Sequence, residues 1–259
     1  MQRQCSITKL FAAPLIAATL AMLAFAQTPP AQQTYNVVVV QVKPEMGSEW
    51  QDYLKNHVNP ALQKGGVKER GVWTTATFGE GGEYVMVTPI ESLSQYDNPS
   101  PVVKALGQEG AEALLAKRQR LITSSRAFMI TARPDLGVAP KAGYAFKLCA
   151  VATVNVAPGR IADYEKSLKD LSATLAKTNA KGMLVSKVGL GGDPNSYITL
   201  ALFDNWADVD KFPAAFAKAS ADAKLAPPAA GIVAHAEWRV YRFVPELSVI
   251  PAAQKAENK

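Results

Sequence analysis

The chain repeats itself, and this repetition limits what it can fold into more than any other feature. Residues 37–56 (VVVVQVKPEMGSEWQDYLKN) align with residues 151–170 (VATVNVAPGRIADYEKSLKD) at an offset of 114. Val40, Val42 and Pro44 fall on Val154, Val156 and Pro158. Trp50 falls on Tyr164, and Leu54 and Lys55 fall on Leu168 and Lys169. Residues 83–97 (EYVMVTPIESLSQYD) then align with 196–210 (SYITLALFDNWADVD) at an offset of 113, matching Tyr84 with Tyr197, Glu91 with Asp204 and Asp97 with Asp210. Finally ARPDL (132–136) aligns with FVPEL (243–247) at an offset of 111. Three blocks in one order predict two homologous halves, 35–136 and 144–250, joined by a linker (137–143) that contains Gly137, Pro140 and Gly143.

Both halves carry the same pattern of elements. A β-branched strand opens each (Tyr35–Val42; Phe146–Val156) and is closed by Pro44 or Pro158. A helix follows; in the second half Ile161, Tyr164, Leu168, Leu171 and Leu175 recur at steps of three and four, the spacing of one buried stripe. Two strands then form a hairpin, Val72–Phe78 with Tyr84–Ile90 and Leu184–Leu190 with Tyr197–Phe203, around glycine-rich turns at 79–82 and 189–192. Those glycines read as hairpin turns, because no helix start and no G-K-[ST] follows them. A second helix (roughly 101–121 and 205–224) and a last strand (Thr123–Arg133; Ala234–Val244) complete each half. The order β-α-β-β-α-β is the ferredoxin-like unit. Its helices cover one sheet face and leave the other bare, and two units in one chain bury both bare faces by packing sheet to sheet. The predicted class is α+β: two tandem ferredoxin-like repeats forming an intrachain pseudo-dimeric barrel, with a monomer as the simplest assembly.

Residues 1–26 stand outside this pattern. Arg3 and Lys9 precede an apolar stretch from Leu10 to Phe25, which ends in Ala24-Phe25-Ala26. A basic start, a short apolar run and an A-x-A site predict a secretory signal peptide, and hence a periplasmic or secreted protein. The alternative, an N-terminal membrane anchor, is disfavoured by Pro14, Thr19 and the shortness of the run. A flexible leader (27–34) and a C-terminal tail (251–259) are expected to flank the repeats, with no stable membrane anchor after cleavage. Cleavage would remove Cys5, so that Cys149 is the one cysteine left and no internal disulfide is expected. The formal charge of +6 would fall to +4, with no basic run longer than the Lys117, Arg118, Arg120 cluster, and nucleic acid is therefore not an expected partner.

Strand alternation nominates side chains for the barrel interior. On the first strands, Val38, Val40 and Val42, like Ala152, Val154 and Val156, suit the helix side; Gln41, Cys149 and Asn155 belong to the mixed, opposite parity. Similar reasoning adds Thr75, Met86, Lys187 and Thr199 from the hairpins, and Arg126 and Phe128 from the last strand of the first half. The densest polar row is His235, Glu237, Arg239 and Tyr241. His235 and Glu237 have the spacing of an acid–base pair or of two metal ligands, but a metal needs three or four, so none is expected. The plain alternative is an exposed strand end with a Glu237–Arg239 ion pair. His57, where the repeat places Leu171, reads as a packing histidine. Cys149 reads as a small buried hydrophobe.

The strand ending V-x-V-x-P followed by a helical aromatic (Val154, Val156, Pro158 and Tyr164; Val40, Val42, Pro44 and Trp50) resembles the dimeric α+β barrel proteins. These include antibiotic-biosynthesis-type monooxygenases and the EthD-like and NIPSNAP-like proteins. The resemblance implies a barrel that encloses a small-molecule cavity. Its haem-degrading members pair a strand asparagine with a histidine on the second helix, and neither second helix here has a histidine, so no cofactor is expected. Two functions remain: a binding or structural module for a small molecule, or a cofactor-independent monooxygenase or isomerase acting on a small aromatic or polyketide-like substrate, with Asn155, Arg239 and Tyr241 positioning it.

Overall fold

A computed structural model of the chain describes residues 32–141, 147–224 and 230–250. The expected signal peptide, most of the expected leader, residues 142–146 of the expected linker and first strand, and the expected C-terminal tail lie outside the described residues. The first repeat comprises β1 (Thr34–Val42), α1 (Gly47–Asp52), a π-helical turn (Tyr53–Val58), α2 (Asn59–Lys64), β2 (Gly71–Thr75), β3 (Glu83–Ile90), α3 (Pro101–Leu121) and β4 (Ile122–Ala132). The second comprises β5 (Leu148–Val156), α4 (Ile161–Leu175), β6 (Met183–Val188), β7 (Ser196–Phe203), α5 (Trp206–Asp222) and β8 (Val233–Phe243). The eight strands close in the order β1-β3-β2-β8-β5-β7-β6-β4, so the two four-stranded sheets join along β2–β8 and β4–β6.

The repeat aligned in the sequence is a repeat of contacts. Trp50 of α1 packs on Tyr84 of β3 with ring centroids 5.9 Å apart, and Tyr164 of α4 packs on Tyr197 of β7 at 5.1 Å. Gln51 Nε2 donates to the Tyr84 hydroxyl, whereas the Tyr197 hydroxyl donates to Glu165 at 2.6 Å. Val40, Val42, Trp50, Tyr53, Leu54 and Tyr84 form the sheet–helix core of the first repeat, and Val154, Val156, Tyr164, Leu168, Leu175 and Tyr197 that of the second. The first-strand parity assigned to the helix side is the one that packs there.

The third aligned block explains why neither core is complete alone. ARPDL ends in a 3-10 turn, Pro134–Leu136, and FVPEL in another, Pro245–Leu247. Leu136, from the end of the first repeat, is buried in the core of the second; Leu247, from the end of the second, is buried in the core of the first. The exchange is fastened by backbone bridges, Val138 to Met183 and Val249 to Arg70. Side chains clasp the turns as well, with Ser172 Oγ donating to the Leu136 carbonyl and Asn59 Nδ2 to that of Leu247. The two halves are structurally interlocked.

Candidate functional site

The inward faces of the strands meet in two apolar clusters. One gathers Val37, Ile130 and Val188 with Val39, Val87, Phe128 and Ile198 around them. The other gathers Cys149, Leu202 and Tyr241 with Trp73, Val151, Leu184 and Leu200. Apolar side chains therefore make up most of the inward surface, and polar groups join it chiefly along one row.

That row follows from strand register, since residues directly opposite each other in an antiparallel pair share a face. Gln41 on β1 stands opposite Glu83 on β3. The β2–β3 register carried one pair further sets Glu83 against Thr75, which stands opposite Tyr241 on β8. Tyr241 faces Cys149 on β5, and Cys149 faces Leu202 on β7. Arg239, two residues before Tyr241 on the same face, completes the group. Its guanidinium meets Glu83 through Nη1 at 2.7 and 2.9 Å and Glu237 through Nη2 at 2.7 Å, and Glu80 stands 3.8 Å away. The Tyr241 hydroxyl donates to Glu83 Oε1 at 2.5 Å. Glu83 is 4% exposed, so these two partners replace the water its charge would otherwise require.

The electrostatics follow from this crowding. Burial first, then the hydrogen bond to the Glu83 carboxylate and its charge, push the Tyr241 phenol far above its ordinary range and keep it a donor. Burial opposes the charge on Arg239, but bonds to Glu237, Tyr241 and Glu83 outweigh it and hold the guanidinium protonated. Two buried atoms beside the cluster, Gln41 Oε1 and Thr75 Oγ1, have no hydrogen-bond partner among the described residues.

The pseudo-twofold supplies an internal control. The equivalent row reads Asn155, Ser196, Val188, Ile130, Tyr35 and Pro89. Ser196 stands where Glu83 does, Val188 where Thr75 does, Ile130 where Tyr241 does, and Phe128 where Arg239 does. Asn155 and Ser196 keep polarity at the outer end of that row, where Asn155 Nδ2 donates to Asp193 and to Ser196 Oγ. The rest is apolar.

Of the residues nominated from sequence, Gln41, Thr75, Cys149, Arg239 and Tyr241 come together on the first row, with Glu237 at its exposed margin. Asn155 and Phe128 lie on the second side, where Phe128 is covered by the Arg126 guanidinium 5.4 Å from its ring centre. His235 is exposed opposite Asn155, and Glu237 is engaged by Arg239. Met86, Thr199 and Lys187 do not face inward. Met86 stands opposite Val38, Thr199 opposite Ala152, and Lys187 opposite Tyr197, all on the helix-covered face. Hairpin register decides that parity, and a glycine-rich turn of uncertain length does not disclose it. Sequence reasoning missed Glu83, because a charged residue at the first position of a strand ordinarily points to solvent. Its alignment with a serine was the available signal.

Cys149 is buried and free, its thiol pushed up to about 12 by burial against a weak bond to the Tyr241 carbonyl. It is a packing residue of the row. Among the described residues no three metal-ligating side chains gather, and no helix is long and apolar enough to cross a membrane.

No family model and no curated protein matches the sequence. Solved structures do match in fold. An anthrone oxidase-like protein superposes with a TM-score of 0.56 at 12% identity, over 83% of this chain and 92% of that one. A candidate monooxygenase from Lactobacillus acidophilus NCFM superposes at 0.52 and 12%, over 82% and 94%. A chlorite dismutase from Candidatus Nitrospira defluvii superposes at 0.53 and 10%, over 83% and 92%. The identities are far too low to transfer a reaction, and the coverage spans both repeats. The chain has the dimeric α+β barrel fold, built here from two repeats of one polypeptide.

Proposed function

We propose that the protein is an exported small-molecule-binding barrel whose Glu83–Arg239–Tyr241 cluster seats the polar part of a ligand. The observation that carries this reading is the asymmetry between the two rows. The second repeat supports the same architecture with Ser196, Phe128 and Ile130. A buried ion pair is no better for stability than well-packed apolar residues of similar volume, so the fold does not require the charged version. The unpartnered Gln41 Oε1 and Thr75 Oγ1 beside it are further points at which a ligand would hydrogen-bond. Export rests on the first 26 residues alone.

One experiment addresses both parts. Native mass spectrometry of protein purified from its own cell should give the mass of a chain beginning at Gln27, together with a retained small molecule that is lost in Glu83→Gln. A full-length chain would overturn the reading of residues 1–26 as a cleaved signal peptide. A ligand retained equally by the variant would overturn the site.

A second reading, cofactor-independent oxygenation, draws on the likeness to a candidate monooxygenase and an anthrone oxidase-like protein. Against it, Arg239 and Tyr241 turn onto Glu83, and Asn155 is on the other row. Oxygen uptake with anthrone that depends on Tyr241 would establish it.

A further inference from the structure

Outside the barrel, the first repeat has a second concave feature. A cleft of about 450 Å³ opens between the first helix (α1 to α2) and α3. That volume falls within the usual range for small-molecule sites. Its walls are apolar, from Ala61 on one helix and Leu106, Ala113 and Leu114 on the other, and Leu106 is 44% exposed there. Every charged residue lining it is basic: Lys64 and Lys117, with His57 beside them.

Local distortions shape this cleft. The first helix widens into a π turn over Tyr53–Val58, which places His57 at the rim, and such turns recur at functional sites. The corresponding helix of the second repeat, α4, is regular throughout. Gly107 breaks α3 with φ of +73°, a conformation that glycine adopts without a Cβ penalty. At one end the helices are held close by Gly65, where a Cβ would lie 2.0 Å from the Pro101 carbonyl oxygen. At the other, Lys117 Nζ donates to His57 Nε2 at 3.0 Å. Asp52 stands at that end but outside the lining; its Oδ2 is 3.7 Å from His57 Nε2, and its Oδ1 accepts from Asn56. An ammonium whose partner is a histidine ring nitrogen can exchange it for a carboxylate and gain a charge-assisted bond.

We infer that this cleft is a binding site for a small amphipathic monocarboxylate, its carboxylate on Lys117 and His57 and its alkyl or aryl body along Leu106, Ala113 and Leu114. This site is independent of the barrel row, and Glu83→Gln should leave it unchanged.

The test is calorimetric titration of the purified protein with decanoate below its micelle concentration, and with decanol as the uncharged analogue. Decanoate should bind saturably with one-to-one stoichiometry, and decanol about tenfold more weakly or worse. Lys117→Met should weaken decanoate about tenfold, and Ala113→Trp, which fills the cleft from an exposed position, should abolish binding. Thermal melting of each variant verifies that it is folded, and Lys117→Met carries the test if the tryptophan is not accommodated. The inference is overturned by absence of saturable decanoate binding, by decanol binding as tightly as decanoate, or by decanoate binding that Lys117→Met leaves unchanged.

Discussion

The two inward rows make it possible to separate what the barrel needs from what its site adds. Glu83→Ala removes the carboxylate that holds Arg239 Nη1 and accepts from Tyr241, and leaves a largely buried cation and a buried hydroxyl short of a partner. Removing one member of a fully buried pair typically costs about 3–5 kcal/mol. Here Arg239 is 20% exposed and keeps Glu237 at 2.7 Å, so solvent and the second carboxylate offset part of that loss and about 2 kcal/mol is expected. For a chain of this size that is a drop in Tm of roughly 4–8 °C. The triple variant Glu83→Ser, Arg239→Phe, Tyr241→Ile installs in the first row the residues the protein already uses in the second. It leaves no buried charge behind, and its stability should lie within about 1 kcal/mol of the parent. Calorimetric melts of the parent, the single variant and the triple variant decide the matter. If the triple variant melts as low as Glu83→Ala, the cluster is part of the barrel's own architecture and the argument from asymmetry fails.

Other outcomes follow from the same structure. Cys149, with its thiol raised to about 12 and its side chain buried, should react with a thiol reagent at neutral pH only as fast as the chain opens; rapid stoichiometric labelling of the native protein would contradict this. Glu165 is bonded by Arg133 and by the Tyr197 hydroxyl, and the Arg133 bond above all holds its carboxyl below the ordinary 4.5. Its folded form binds a proton less readily than its unfolded form. The stability it contributes is therefore present above about pH 4.5 and lost as pH falls through the depressed value, and Glu165→Gln should flatten that part of the pH–stability curve. Leu247→Ala should cost about 3 kcal/mol in denaturant unfolding even though it lies far outside the first repeat in sequence, since it empties a site in that repeat's core; a loss under 1 kcal/mol would show that the turn is peripheral.

The fold was legible because repetition and periodicity act together. Aligning Trp50 with Tyr164 and Tyr84 with Tyr197 singled out four aromatics, which the structure brings together in two contacts that recur across the pseudo-twofold. The parity of β1 and β5 was legible as well, since unbroken valine and alanine on one side contrast with Gln41 and Asn155 on the other. The hairpins were harder. Their facing depends on how many residues the turn consumes, and one residue more or fewer moved Met86, Lys187 and Thr199 to the helix side. The ion pair was out of reach for another reason: Glu83 and Arg239 are 156 residues apart, and nothing in the neighbourhood of either marks the other. Which side chains meet inside the barrel was equally hidden, because it depends on strands of both repeats.

The exchanged leucines also govern the order in which the chain reaches its native state. The first repeat contains every strand of its own sheet by Ala132, yet the leucine that seals its core is residue 247. As the polypeptide emerges from N- to C-terminus, the core of that half lacks its seal until residue 247 has been made, and the second half in turn needs Leu136 from behind it. Closure over so long a separation in sequence is slow. The two cores are thus completed by residues exchanged between the repeats, and the first repeat's core closes only once residue 247 has been made.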